Sequence, residues 1–165
     1  GPLLNPISPE FRLLGIASEH VYPLVVQYLQ ESNSGQSLVV RSQFGIDELV
    51  PGSLNTASYV SGGTVQNLSF AAHGTPLFDG DNARQIDLDL AHNVSVFNKL
   101  MDTRSNTDAQ PWLDLVCLNA GAGFFVTGTV GSIDEGIKVA RDLICGGRVR
   151  EKFDEVRRVY EKCAA

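Results

Sequence analysis

Two short apolar runs, Phe11–Ile16 and Ser37–Arg41, with a single one-faced helical pattern between them, restrict the fold of this chain more than any other feature. Between the runs, Val21, Leu24, Val25, Tyr28 and Leu29 recur at helical spacing, and Asn33-Ser34-Gly35 supplies a stop. Pro23 fits only a first turn, so the helix should begin near Val21, past a possible Ser18 cap, and run to about Glu31. Strand, helix and strand in this order imply parallel strands joined by a crossover. The expected class is α/β, with a mixed, largely parallel sheet flanked by helices.

The 37–41 strand leads directly to the most chemically suggestive stretch, Phe44-Gly45-Ile46-Asp47-Glu48-Leu49. In open α/β sheets, ligands bind just beyond the carboxyl ends of the strands. Gly45 can bend the chain there, and Asp47 and Glu48 follow as adjacent carboxylates. Mg²⁺ is a hard ion, usually held by one or two carboxylates, several waters and substrate phosphate oxygens. The pair could therefore hold hydrated Mg²⁺ for a phosphorylated substrate. By itself it reads more often as a solvated turn.

Downstream, Pro51-Gly52 marks a turn, and Gly62-Gly63 makes the two-residue loop of a hairpin between Ser58-Tyr59-Val60 and Val65–Phe70. Residues 71–84 are rich in Gly, Pro, Asp and Asn and should be a loop. Asp79-Gly80-Asp81 within it lacks the later ligands and the glycine of a calcium loop. The remainder reads as helical. Leu90, Val94, Phe97 and Met101 share a face, and Pro111 opens a buried helix whose Gly121 and Gly123 suggest close packing. Ser132 and Glu135 form a capping box, Gly146-Gly147 is a stop, and Val149, Phe153, Val156, Tyr160 and Cys163 stripe the last helix. Asn119, inside the buried helix, is best read as a hydrogen-bonding amide.

Length and composition set bounds. The 165 residues, 43% apolar and 19% charged, suit a single domain with its own core. A net charge of −6 argues against non-specific binding of nucleic acid or anionic membrane. Cys117, Cys145 and Cys163 form no metal or disulfide pattern, which predicts reduced thiols and a cytoplasmic location. No apolar run has membrane length. The chain opens at Gly1 without an initiator methionine, so the lack of a leader in it says nothing of targeting. His20, His73 and His92 are too scattered for a metal or catalytic constellation, and no P-loop, GxSxG, HExxH or dinucleotide fingerprint is present.

Gly1-Pro2-Leu3-Leu4-Asn5-Pro6 with Leu13-Leu14-Gly15-Ile16, then Gly45-Ile46-Asp47-Glu48-Leu49, then Asn119-Ala120 and Asp134-Glu135-Gly136, come in an order and spacing that resemble the anthranilate phosphoribosyltransferases. The resemblance covers nearly the whole of residues 1–165. It implies the C-terminal portion of a nucleoside phosphorylase/phosphoribosyltransferase-like large domain, incomplete at its N-terminus. Such enzymes transfer phosphoribose from phosphoribosyl pyrophosphate to the amino group of anthranilate in tryptophan biosynthesis. The resemblance assigns Asp47 and Glu48 to Mg²⁺ on the pyrophosphate, and Gly1 and Pro2 to the side of the anthranilate channel. No residue of this chain is expected to act as a side-chain acid or base.

Two departures qualify that picture. Arg41-Ser42 stands where the family usually has His-Gly, which alters the turn before the acidic pair and adds a cation. The family's N-terminal half is also missing, with its helical dimerisation domain, Gly-Thr-Gly-Gly-Asp phosphate loop, Lys-His-Gly segment and anthranilate-binding arginine. The chain should then be inactive alone, should expose a sheet edge and apolar patches, and should need that half or a homo-oligomer partner. Two other readings stay open: a non-catalytic binding or assembly module that keeps the fold, and a pyrimidine nucleoside phosphorylase relative, against which the Gly-Ile-Asp-Glu loop speaks.

Overall fold

The computed structural model describes residues 3, 7–33, 35–76, 89–102 and 109–163. Gly1, Pro2 and the Asp79-Gly80-Asp81 segment lie outside the described residues. The crossover unit forms as its pattern requires: β1 (Phe11–Gly15), α1 (Val21–Ser32) and β2 (Gln36–Ser42), with β1 and β2 parallel and Leu13 opposite Leu38. Asn33 closes α1 in the left-handed conformation at φ 46°, which asparagine tolerates better than most residues. A hairpin follows, β3 (Leu54–Ser61) and β4 (Thr64–Ala71), antiparallel to one another, with β3 antiparallel to β2. Its two-residue turn has positive φ at both Gly62 (56°) and Gly63 (73°), the backbone that makes glycine the residue for such turns. The result is a mixed sheet in the order β1-β2-β3-β4. Among the described strands only β1 and β2 are parallel, because a short hairpin and not a second crossover follows β2, so the expected mixed sheet is present without the predominance of parallel pairing.

Strand β2 reads as an unbroken apolar run because both of its faces are covered. Leu38 and Val40 pack with Leu49, Ala57, Leu118, Ala122 and Val126 beneath α3 (Gln110–Val126). Val39 turns the other way, onto Leu14, Val25, Leu29 and Val60 beneath α1. The opposite flank of α3 contributes Leu113 and Cys117 to a second cluster with Leu100, Met101, Ala140 and Ile144, from α2 (Leu90–Met101) and α4 (Ile133–Cys145). A helix enclosed on two flanks has no need of a polar stripe, and α3 is apolar nearly all round.

Helix α4 starts where the capping box predicts. The Ser132 hydroxyl accepts the Glu135 N–H at 3.1 Å, while Glu135 Oε2 accepts from Gly131 N–H, one residue earlier than the standard box. Among the described residues no helix is long and apolar enough to cross a membrane.

Periodicity identifies α2 and α5 (Arg148–Cys163) as helices but overstates their burial. Leu90 and Val94 of α2 are exposed, and α5 buries no residue, with Tyr160 72% exposed and Phe153 meeting Phe97 edge-on at 4.9 Å. At the other side of the molecule β1 is an edge of the described sheet, and Leu24 and Tyr28 of α1 face outward. Uncovered apolar surface beside an open strand favours self-association. Sedimentation of the chain should therefore become concentration-dependent in the micromolar range and above. A strictly monomeric profile with one cooperative unfolding transition would count against this.

Candidate active-site loop

Asp47 and Glu48 sit on the loop between β2 and β3, at the rim where β1 and β2 end and β4 returns. The loop is held from several sides. Ser42, at its root, accepts from Gly45 N–H through its carbonyl (3.1 Å) and from Ile46 N–H through its hydroxyl (3.3 Å), and its own N–H donates to the Ile46 carbonyl (3.2 Å). Gly45 makes the bend at φ +68°. Ser42 thus has a structural use here: its hydroxyl satisfies a loop amide. Arg41 donates to the Ala17 carbonyl at 3.2 Å and pairs with Glu19 at 3.6 Å, so it binds the β1–α1 connection.

Gly15, the last residue of β1, packs against the backbone of Asp47 so closely that a Cβ there would overlap the Asp47 carbonyl oxygen. One residue past the acidic pair, Asn119 of α3 clasps Leu49 from both sides. Its Oδ1 accepts the Leu49 N–H at 3.0 Å and its Nδ2 donates to the Leu49 carbonyl at 2.8 Å, with a second donation to Leu115 O at 3.0 Å. Asn55 of β3 repeats the arrangement on Val50, accepting its N–H at 2.8 Å and donating to its carbonyl at 3.0 Å. Leu49, Val50 and Pro51 are buried as a consequence.

The two side chains on this fixed loop are themselves exposed, and among the described residues neither forms an ion pair. Glu48 has its pKa raised, first by partial burial of its carboxyl and then by the adjacent Asp47 charge. A nearby cation would act in the opposite direction, favouring the ionised carboxylate. Among the described residues no cluster of three His, Cys, Asp or Glu side chains could form a closed metal cage. Two exposed carboxylates are the kind of incomplete oxygen-ligand set that Mg²⁺ accepts and a structural zinc site does not.

The three histidines belong to different segments of the fold. His20 directly precedes α1, His92 meets Trp112 edge-on at 6.1 Å, and His73 lies by a cleft on the same rim. The three cysteines are free thiols, with Cys117 buried.

That cleft, about 470 Å³, is lined by Phe70, His73, Asp114, Lys138 and Arg141 among others, and includes neither Asp47 nor Glu48. At its edge is a polar knot around the buried Asp114 that sequence reasoning missed. Asp114 accepts from Thr75 N–H and Gln110 Nε2, both at 2.8 Å, and pairs with Arg141 of α4. Burial alone would raise the Asp114 pKa, but the bonds from Thr75 and Arg141 outweigh it and the net shift is downward. The available signal was a carboxylate inside an otherwise apolar helix, which needs a partner that the helix itself does not supply.

Residues 1–150 match the model of a family described as glycosyl transferase family, a/b domain. The anthranilate phosphoribosyltransferase of Hydrogenovibrio crunogenus is 28% identical over 155 residues, which is 94% of this chain and 44% of that protein. That of Lactococcus lactis subsp. cremoris is 29% identical over 156 residues, 94% of this chain and 45% of its own length. Among solved structures, anthranilate phosphoribosyltransferase from Thermus thermophilus matches with a TM-score of 0.67 at 27% identity, over 89% of this chain and 42% of that one. The Saccharomyces cerevisiae enzyme in complex with PRPP and Mg gives 0.68 at 17% identity, over 93% and 44%, a likeness of fold alone. The chain spans less than half the length of these relatives.

Proposed function

Since the chain belongs to the glycosyl transferase family whose α/β domain its residues 1–150 match, we propose that it supplies the metal-binding corner of an anthranilate phosphoribosyltransferase site. In the reaction, the bond from the ribose anomeric carbon to pyrophosphate breaks, a bond to the anthranilate nitrogen forms, and that nitrogen gives up a proton. One observation carries the reading: an exposed Asp47-Glu48 pair, without an ion-pair partner among the described residues, held on a tied-down loop at the carboxyl rim of the sheet.

Asp47 and Glu48 would hold Mg²⁺ through carboxylate oxygens, leaving its other positions to water and to the diphosphate of phosphoribosyl pyrophosphate. When bound, the ion supplies Lewis-acid stabilisation of charge developing on the leaving group. The chain's own contribution is placement. Side chains fixed before the reaction lose no reorganisation energy when charge develops. Gly1 and Pro2 are proposed to border the anthranilate channel, as the family resemblance implies. The residues that would meet anthranilate's carboxylate and the substrate phosphates belong to the half of the family's length that this chain does not span, so the 165-residue chain should bind magnesium pyrophosphate without catalysing transfer.

An NMR titration of the chain with Mg²⁺ and pyrophosphate tests this. Shifts should centre on residues 44–49 and should vanish in an Asp47→Asn, Glu48→Gln double variant. Unchanged binding in that variant would move the reading to a non-catalytic module. Formation of phosphoribosyl anthranilate by the isolated chain would overturn the claim that it is inactive alone.

A further inference from the structure

The acidic pair is flanked by two contacts, one on each side. On its amino side, the backbone of Asp47 rests on the bare α-carbon of Gly15, whose φ is not in the left-handed region, so conformational freedom is not what requires glycine there. Glycine in a strand often marks a close backbone approach. On its carboxyl side, Asn119 bonds both polar groups of one peptide residue, Leu49, as a neighbouring strand would. That amide is in turn fixed to Leu115 O one helical turn back. The loop has its own means of closing, through Ser42 and Gly45, and Val50 has its own clasp from Asn55. What Gly15 and Asn119 add is the position of the two-residue segment between them relative to β1 and α3.

We propose that Gly15 and Asn119 are positioning residues for the diphosphate-binding pair, fixing the Asp47-Glu48 segment between the end of β1 and the middle of α3. This rests on the reading that Asp47 and Glu48 hold magnesium pyrophosphate. Neither residue touches the ligand. Gly15 sets how near the Asp47 backbone can approach the sheet, and Asn119 sets the height of Leu49, so the two carboxylates leave the loop from two fixed points. A methyl group at Gly15 pushes Asp47 outward by steric overlap. Removing the Asn119 amide frees the Leu49 peptide to rotate.

The test measures magnesium pyrophosphate affinity by NMR titration in Gly15→Ala and Asn119→Ala, the second of which only deletes atoms. Outer partners that orient metal ligands typically change metal affinity about 10- to 100-fold when removed, and a loss in that range is expected for both variants. Ile144→Ala, in the separate cluster between α3 and α4, serves as a control for lost stability. Affinity retained in the control, at a comparable fall in melting midpoint, supports positioning. Affinity retained in both variants, or lost equally in the control, overturns it while leaving the magnesium reading intact. Binding that survives Asp47→Asn with Glu48→Gln, or no binding by the unmodified chain, overturns the reading and this assignment together.

Discussion

Replacing Gly136 with valine is expected to destabilise the chain by about 3 kcal/mol, the upper part of the range for overpacked interiors. That corresponds to a fall in melting midpoint of roughly 10 °C for a chain of this size. The cause is a direct contact between helix backbones. A Cβ at Gly136 would lie 2.5 Å from the Gly121 carbonyl oxygen and 2.7 Å from its α-carbon, and a Cβ at Gly121 would lie 2.7 Å from the Ile137 nitrogen. Nothing at these positions is a flexible side-chain tip that could swing aside, so α4 must move away from α3. The control lies two residues along α3. A Cβ at Gly123 would meet nothing within 4 Å, so Gly123→Ala should stabilise by about 0.5–1 kcal/mol through reduced unfolded-state freedom and better helix propensity. Calorimetric melting of the two variants should therefore give shifts of opposite sign. Equal shifts would mean that the two helix backbones are not in contact at Gly121 and Gly136.

The same two glycines of α3 show where sequence reading stops. Both suggest packing, but residues two apart on a helix point about 200° from one another at 3.6 residues per turn, so one face can claim only one of them. Features encoded over a few residues are legible: the crossover unit, the Gly62-Gly63 turn, Pro111 in the first turn of α3, and the Ser132 cap. So is the place of Asp47 and Glu48, because the strand-rim rule needs only the end of β2. What holds that pair is not legible. Asn119 is recognisable as a buried hydrogen-bonding amide, yet its partner is Leu49, 70 residues away, and no local pattern couples them. Asp114 and Arg141 are likewise separated by 27 residues and by a change of helix. The stripes on α2 and α5 fail in a different manner. Period 3.6 identifies an apolar face but carries no information on what covers it, and much of both faces is uncovered among the described residues.

Asp114→Ala should cost about 2–3 kcal/mol, and the cost should disappear in acid. The substitution strands three donors: the Thr75 N–H, the Gln110 amide and the Arg141 guanidinium. Breaking a buried pair typically costs about 3–5 kcal/mol, and the lower figure here reflects Arg141, whose side chain is 36% exposed and can turn to water. The pH dependence follows from the sign of the shift. The Asp114 pKa is depressed in the folded chain, so its contribution is complete above the unfolded carboxyl value of about 3.9. It is lost as pH falls through the lower folded value. Urea unfolding of the unmodified chain and the variant should differ by a constant amount from about pH 7 to 5, and the difference should shrink below about pH 4. A gap that persists undiminished to the most acid conditions tolerated would mean that shape, and not charge, is what Asp114 contributes.

The location of that carboxylate gives the result a wider bearing. Asp114 fixes Thr75 just after β4, where a Cβ at Gly74 would come within 2.9 Å of Pro51. Pro51 in turn follows the Leu49-Val50 segment held by Asn119 and Asn55. One helix, α3, therefore ties both rim segments, through Asp114 to the strand that returns and through Asn119 to the loop bearing the acidic pair. Protonating Asp114 should loosen the first tie without touching the second. Amide exchange near about pH 3 should accordingly rise at Thr75 before it rises at Leu49, and simultaneous release would indicate that the two ties form a single cooperative unit.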